Sequence, residues 1–247
     1  MPSPVKPDVP IANQLLAALP RKDYQRLLPE LEPVTLAFAE VLYEPGDSIR
    51  HVYFPNDCII SLLSVLADRS TLEVGVVGGE GVAGISVFMG VDTSRNRALM
   101  RVAGTAMRMR SAALRREADR GGSLHRLLRR YIHSLLTQLS QSAACNRFHP
   151  VDARLARLLL MTLDRLNSDE FRLTQEFMSD MLGVRREGVN RAAGLLQKHE
   201  LISYSRGHIR VLNRVGLEAV SCECYRSIKD ESDSYPVNRR GGVRANS

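Results

Sequence analysis

No stretch of this 247-residue sequence approaches the roughly 18 consecutive apolar residues that a membrane-spanning helix needs. No membrane association is expected. The opening segment Met1-Pro2-Ser3-Pro4-Val5-Lys6-Pro7 lacks the apolar core of a secretory leader. A cytoplasmic location follows as an expectation. Cysteine is scarce: there are four, Cys58, Cys145, Cys222 and Cys224. In a reducing compartment such thiols are expected to be free rather than bridged. Cys222 and Cys224 are separated by one residue instead of two. The sequence therefore shows neither zinc-site spacing nor the cysteine cluster of an iron–sulfur centre, and no metal site is expected. Histidine is sparse as well, and His51 is the single histidine between Val34 and Met109. A cupin-type metalloenzyme needs several histidines and a carboxylate close together, so that class is excluded. No Ser–His–Asp or Cys–His set is evident. No catalytic residue is assigned, and the chain is not expected to be an enzyme.

What is present is an ordinary globular composition, 44% hydrophobic and 25% charged, with a formal net charge of +7. The length suits two modest domains. The basic balance favours an anionic partner such as nucleic acid, although charge alone does not single one out.

Periodicity divides the chain. Up to Glu32, Leu15, Leu16, Leu19, Tyr24, Leu27, Leu28 and Leu31 recur mostly at helical steps. From Val34 to Met109, short β-branched runs alternate with turn residues. The runs are Thr35 to Tyr43, Ile49 to Phe54, Cys58 to Val65, Thr71 to Val77, Ala98 to Ala103 and Ala106 to Met109. Such spacing predicts a sandwich or barrel. From Ser123 the helical period returns. Leu124, Leu128, Tyr131, Ile132, Leu135 and Leu139 form an apolar stripe on a helix expected from Leu124 to Ser142. The stripe is wide enough to pair two chains, and it serves equally as the core face of a monomer. After His149-Pro150 a second amphipathic helix is expected from Val151 to Leu166. The expected organisation is a β-domain at 1–122, a dimerisation helix at 123–146, a DNA-binding domain at 147–229 and a disordered tail at 230–247. Arg239 and Arg240 lie in that tail.

The strongest signal begins near Phe171. Thr174 is placed to cap a helix, and Glu176 suits its positive end. Gly183 supplies the left-handed residue of a tight turn between helices. Ser179, four residues before it, is small enough for close approach. Val189, six residues after it, points back into a shared core. This is helix-turn-helix spacing. A second helix from about Arg185 to His199 presents Arg185, Arg186, Glu187, Asn190 and Arg191 at its amino end. Arginine pairs with guanine, asparagine with adenine, and glutamate accepts from cytosine. Next, Ile202 and Tyr204, then Ile209 and Val211, alternate about a Ser205-Arg206-Gly207 turn. They form the hairpin of a wing. Arg206, His208 and Arg210 would meet phosphates. Double-stranded DNA is the expected partner.

The layout resembles the Crp/Fnr superfamily of bacterial transcription regulators over about Asn13 to Leu217. The most specific segment is Arg186-Glu187-Gly188-Val189-Asn190-Arg191, similar to the family's Arg-Glu-x-Val-x-Arg. The resemblance implies an α+β fold: an amino-terminal jelly-roll-like β-roll, a long dimerisation helix and a carboxy-terminal winged helix-turn-helix. It also implies a homodimer on a near-palindromic operator, with Arg186, Glu187 and Arg191 reading bases. Two departures stand out: Gly188 replaces the usual Thr, and neither Val184 nor Arg185 offers a capping side chain.

The family's cyclic-nucleotide cassette aligns with Ala83-Gly84-Ile85 and Arg97-Ala98-Leu99. Glu has become Gly84, Ser has become Ala98, and Arg97 alone is kept. Glu80 is a second candidate carboxylate, seventeen positions before Arg97. These changes argue against cyclic AMP or cyclic GMP as effector, so the cofactor is left unassigned. His51, His125 and His133 keep a haem open. In the alternative reading the β-roll needs no ligand, and is structural or docks RNA polymerase or another protein.

Overall fold

The computed structural model describes residues 11–166 and 168–234. Two short helices, α1 (Gln14–Ala17) and α2 (Arg21–Leu27), precede seven strands: β1 (Glu32–Leu36), β2 (Val41–Tyr43), β3 (His51–Pro55), β4 (Ile59–Val65), β5 (Thr71–Val77), β6 (Arg97–Val102) and β7 (Gly104–Arg110). These build two antiparallel sheets, ordered β1-β7-β3 and β2-β6-β4-β5. Leu36, Phe54, Ile60, Met100 and Met109 fill the space between them. The expected β-roll is therefore present.

One expected strand is in fact two. Thr35 to Tyr43 breaks at a turn in which Ala39 takes φ +63° and Glu40 accepts the Ala37 N–H. The turn carries the chain from one sheet to the other. β1 pairs with β7, while β2 pairs with β6.

Helix α3 (Ser111–Asp119) leads into α4 (Ser123–Phe148), which has 26 residues and is longer than the sequence suggested. Its carbonyls run unbroken to His149, where Pro150 stops it. Then follow α5 (Val151–Leu163), β8 (Glu170–Arg172), α6 (Gln175–Leu182), α7 (Arg186–Lys198), β9 (Ile202–Ser205), β10 (His208–Val211), α8 (Arg214–Val220) and α9 (Cys224–Asp233). The wing is a three-stranded sheet, β8-β10-β9, rather than a hairpin alone. The start of the expected disordered tail is corrected: α9 continues through Asp230 to Asp233, because Tyr225 and Ile228 are buried against the domain. Arg239 and Arg240 lie outside the described residues. Among the described residues, no helix is long and apolar enough to cross a membrane.

The β-roll and the carboxy-terminal helices share a core. Ile59 and Val76, on the outer face of the four-stranded sheet, belong to one apolar cluster with Leu155, Leu159, Met178 and Val189. Polar struts cross the same junction. Arg101, fully buried, reaches Glu73 and the Leu158 carbonyl. Arg165 of the segment after α5 pairs with Glu80 at 2.8 Å. Gln138 of α4 completes the edge of β5 by bonding both the N–H and the carbonyl of Val76.

Candidate nucleic-acid interface

Helix α6 starts where the Thr174 hydroxyl accepts the Phe177 N–H at 3.2 Å. Phe177, Met178, Met181 and Leu182 turn inward. Gly183 ends the helix at φ +60°, the left-handed conformation that glycine adopts without strain. Ser179, small enough for close approach, also donates its hydroxyl to the Val184 carbonyl at 2.6 Å and so closes the turn. Helix α7 then buries Val189, Ala192, Ala193 and Leu196, the i, i+3, i+4, i+7 face of an amphipathic helix. No side chain caps its first turn.

The opposite face carries the candidate reading residues. Arg186, Glu187, Asn190 and Arg191 are exposed on the first turns of α7, and Arg185 is exposed at its N-cap. Arg186 touches Glu176 of α6 at 2.7 Å. Both side chains are more than half exposed, and such a pair contributes under about 1 kcal/mol, so it ties Arg186 down only weakly.

The wing turns on Arg206 at φ +49° and Gly207 at φ +81°. Two successive positive φ angles define a type I′ turn, which matches the twist of paired strands. The Gly207 carbonyl accepts the Leu173 N–H at 2.7 Å, so the wing is tied to the start of α6. Arg206, His208 and Arg210 point outward while Ile209 and Val211 are buried. Arg210 lies 3.6 Å from Glu170. Thr174 belongs to the framework: it is half-buried beside Gly207, and its hydroxyl is used as the cap.

The helix α4 stripe divides. Leu124, Leu128, Tyr131 and Leu135 are buried in the core of their own β-roll, the core-face role that the stripe allowed. Ile132 and Leu139 are half-buried. Both pack against the β-roll core, and Leu136, 57% exposed, and Ala143 stand on the outward side of the same row with 4-3-4 spacing.

The cassette residues are engaged within the chain. Arg97 is bonded through Nε to both carboxylate oxygens of Glu44, at 3.0 and 2.8 Å. Ala98 is fully buried opposite Tyr43. Burial pushes the pKa of the Tyr43 hydroxyl well above the ordinary tyrosine value. Gly84 is left-handed at φ +89° and lies close to Ile49 and Val52. Glu80 is held by Arg165. His51 lies on β3, and His125 and His133 lie on α4. Sequence reasoning missed the internal struts Arg101 and Gln138, because a charged or amide side chain in a linear pattern reads as surface. It also treated Cys145, Cys222 and Cys224 as scattered, whereas the fold gathers them with His149 at the junction of α4 and α9.

A scan against protein families matches residues 153–220 to the Crp-like helix-turn-helix domain. A search of the curated proteins finds no match. Among solved structures, FixK2 from Bradyrhizobium japonicum superposes with a TM-score of 0.67 at 17% identity, covering 78% of this chain and 98% of its own. A putative Crp/Fnr-family transcriptional regulator from Eubacterium rectale gives 0.65 at 13% identity, over 83% and 96%. A putative cAMP-binding regulatory protein from Silicibacter pomeroyi gives 0.55 at 21%, over 91% and 97%.

Fold and site together define a winged helix-turn-helix domain carried by an amino-terminal β-roll. Residues 153–220 match the Crp-like helix-turn-helix domain, and about four fifths of the chain shares the fold of FixK2 and of the putative Crp/Fnr-family regulator.

Proposed function

We propose that the protein regulates transcription as a cytoplasmic homodimer on a near-palindromic operator, without catalytic activity of its own. Arg186, Glu187, Asn190 and Arg191 read base edges, and Arg185, Arg206, His208 and Arg210 hold phosphates. The observation that supports this best is α7 itself. One face is locked into the core by Val189, Ala192, Ala193 and Leu196, and the other offers exposed Arg, Glu and Asn at the end that enters a major groove. Two copies paired through Ile132, Leu136, Leu139 and Ala143 would place half-sites about 34 Å apart. Selection of bound sequences from random DNA should return a two-fold symmetric site. On that site, Arg186→Ala and Arg191→Ala should each lower affinity by about 1–3 kcal/mol and relax base choice. Unchanged specific affinity in both variants would remove the assignment.

Within this reading we infer that the β-roll works without a cyclic nucleotide, as a structural platform or a docking face for RNA polymerase or another protein. The engagement of Arg97 by Glu44 and the burial of Ala98 opposite Tyr43 support it. Calorimetric titration with cyclic AMP and cyclic GMP should give no binding heat. Binding that disappears in Arg97→Ala would restore a sensor.

A further inference from the structure

We propose that Cys145, His149, Cys222 and Cys224 bind one zinc ion in a closed, structural Cys3His site that clamps the end of α4 to the start of α9. Cys145 and His149 are four residues apart and so lie on one face at the carboxy end of α4. Cys222 and Cys224 flank the first residue before α9, 77 positions further along the chain for the Cys145–Cys222 pair. The four ligand atoms all lie within 4.8 Å of one another. Cys145 Sγ is 3.4 Å from Cys222 Sγ, and Cys224 Sγ is 3.6 Å from His149 Nδ1. A tetrahedral zinc with Zn–S of about 2.3 Å and Zn–N of about 2.0–2.1 Å has ligand–ligand edges of about 3.5–3.8 Å. The cluster is thus near the size of one four-coordinate ion, with three buried sulfurs and no position left for substrate.

Two further observations point to a metal. Nδ1 of His149 faces the sulfurs, while its Nε2 lies 3.2 Å from the Glu223 carboxylate. That carboxylate fixes the tautomer with the proton on Nε2, which leaves the Nδ1 lone pair for an ion. Histidines that bind metals are commonly oriented this way. The second observation is charge. Arg154 and Arg157 on α5 are more than nine-tenths buried, and the Nε of each has no hydrogen-bond partner. Among the described residues no carboxylate pairs with either. Arg157 lies within electrostatic reach of all three sulfurs. A buried guanidinium without a counter-charge is strongly unfavourable. Three thiolates around one divalent ion carry a net charge of −1, which supplies the missing anion. Binding releases the thiol protons to solvent, and no oxidant or reductant is needed.

Arg154 extends the clamp to the reading head. Its guanidinium also donates to Asn146 Oδ1 at 2.9 Å and to the Leu182 carbonyl at the end of α6. Zinc would therefore hold α4, α5, α9 and the helix-turn-helix turn in one arrangement. That consequence rests on the DNA-binding reading; the metal site does not.

The test uses the full chain, purified without oxygen. Elemental analysis should find about one zinc per chain. Cys222→Ser and His149→Ala should lower this below about a tenth, whereas Cys58→Ser, a buried cysteine outside the cluster, should keep it. Apoprotein titrated with Co2+ should develop the visible bands of a tetrahedral cobalt thiolate and saturate at about one equivalent. This wild-type titration decides the matter if the variants fail to fold. Absence of bound metal together with no tetrahedral cobalt spectrum would overturn the site. So would a Cys145–Cys222 disulfide in the anaerobic protein. Because every readout is metal content or spectrum, failure of the site and failure of the operator reading are separately visible.

Discussion

Under the proposed reading, Arg206 would serve backbone and ligand at once. Its φ of +49° is required by the type I′ turn, and its exposed guanidinium stands at the tip of the wing. Replacement by Asn keeps a side chain that tolerates the left-handed conformation and removes the charge. Arg206→Asn is expected to fold normally and to weaken binding equally on all DNA sequences. The slope of log affinity against log salt should fall by about one, as measured by fluorescence anisotropy at several salt concentrations. A change in base preference would show instead that Arg206 reads sequence. The exposed α7 residues proposed to read bases were legible in the linear chain, because their positions are set by the turn at Gly183 and the helical period alone. The dual use of Thr174 was legible only in part: its cap was, but not its burial against Gly207.

At the scale of elements, α4 is positioned by a close contact at Gly81. A Cβ there would sit 2.3 Å from the Tyr131 ring, inside any allowed separation. Gly81→Ala should push the Gly78–Gly81 turn off the helix and cost about 1–3 kcal/mol, seen as a lower denaturant midpoint. A midpoint within error of the parent would mean that the helix is not seated there. The outward stripe of α4 belongs to the same scale. Leu136→Glu places a charge on the face proposed to pair two chains. Sedimentation should then report the mass of one chain, while circular dichroism stays unchanged. A variant that still sediments as a dimer would move the interface elsewhere. A single wide stripe carries no mark of which half meets its own β-roll. Leu124, Leu128, Tyr131 and Leu135 proved to be the inner half because β5 and the turn at Gly81 lie beneath them.

Over the whole molecule, the β-roll and the reading domain are joined by polar groups buried in an apolar seam. Arg101 is fully buried, with Glu73 as its carboxylate partner and Ser61 fixing that carboxylate at 2.5 Å. Removing the carboxylate strands a buried cation. Glu73→Ala should therefore destabilise the protein by about 3–5 kcal/mol, read from chemical unfolding. A loss under about 1 kcal/mol would show that water reaches Arg101. Such a seam also makes any signal at the β-roll mechanically available to α6, which packs on β5 where Thr71 donates to the Asp180 carbonyl.

Local chemistry determined what local rules can carry. The strand periods, the cap at Thr174, the left-handed Gly183, the type I′ turn and the basic face of α7 all depend on residues within a few positions of one another. Their free energies are set before the chain closes on itself. The tertiary structure decided everything that depends on distant segments meeting. It placed β1 and β2 on different sheets, buried Arg101 against Glu73, set Tyr43 opposite a buried Ala98, and turned half of the α4 stripe inward. It also brought a Cys-x3-His pair on one helix against a Cys-x-Cys pair beyond the wing. No spacing rule links those two pairs, because a ligand set is defined by distance in space, and the intervening winged domain has to fold before the four atoms share one neighbourhood.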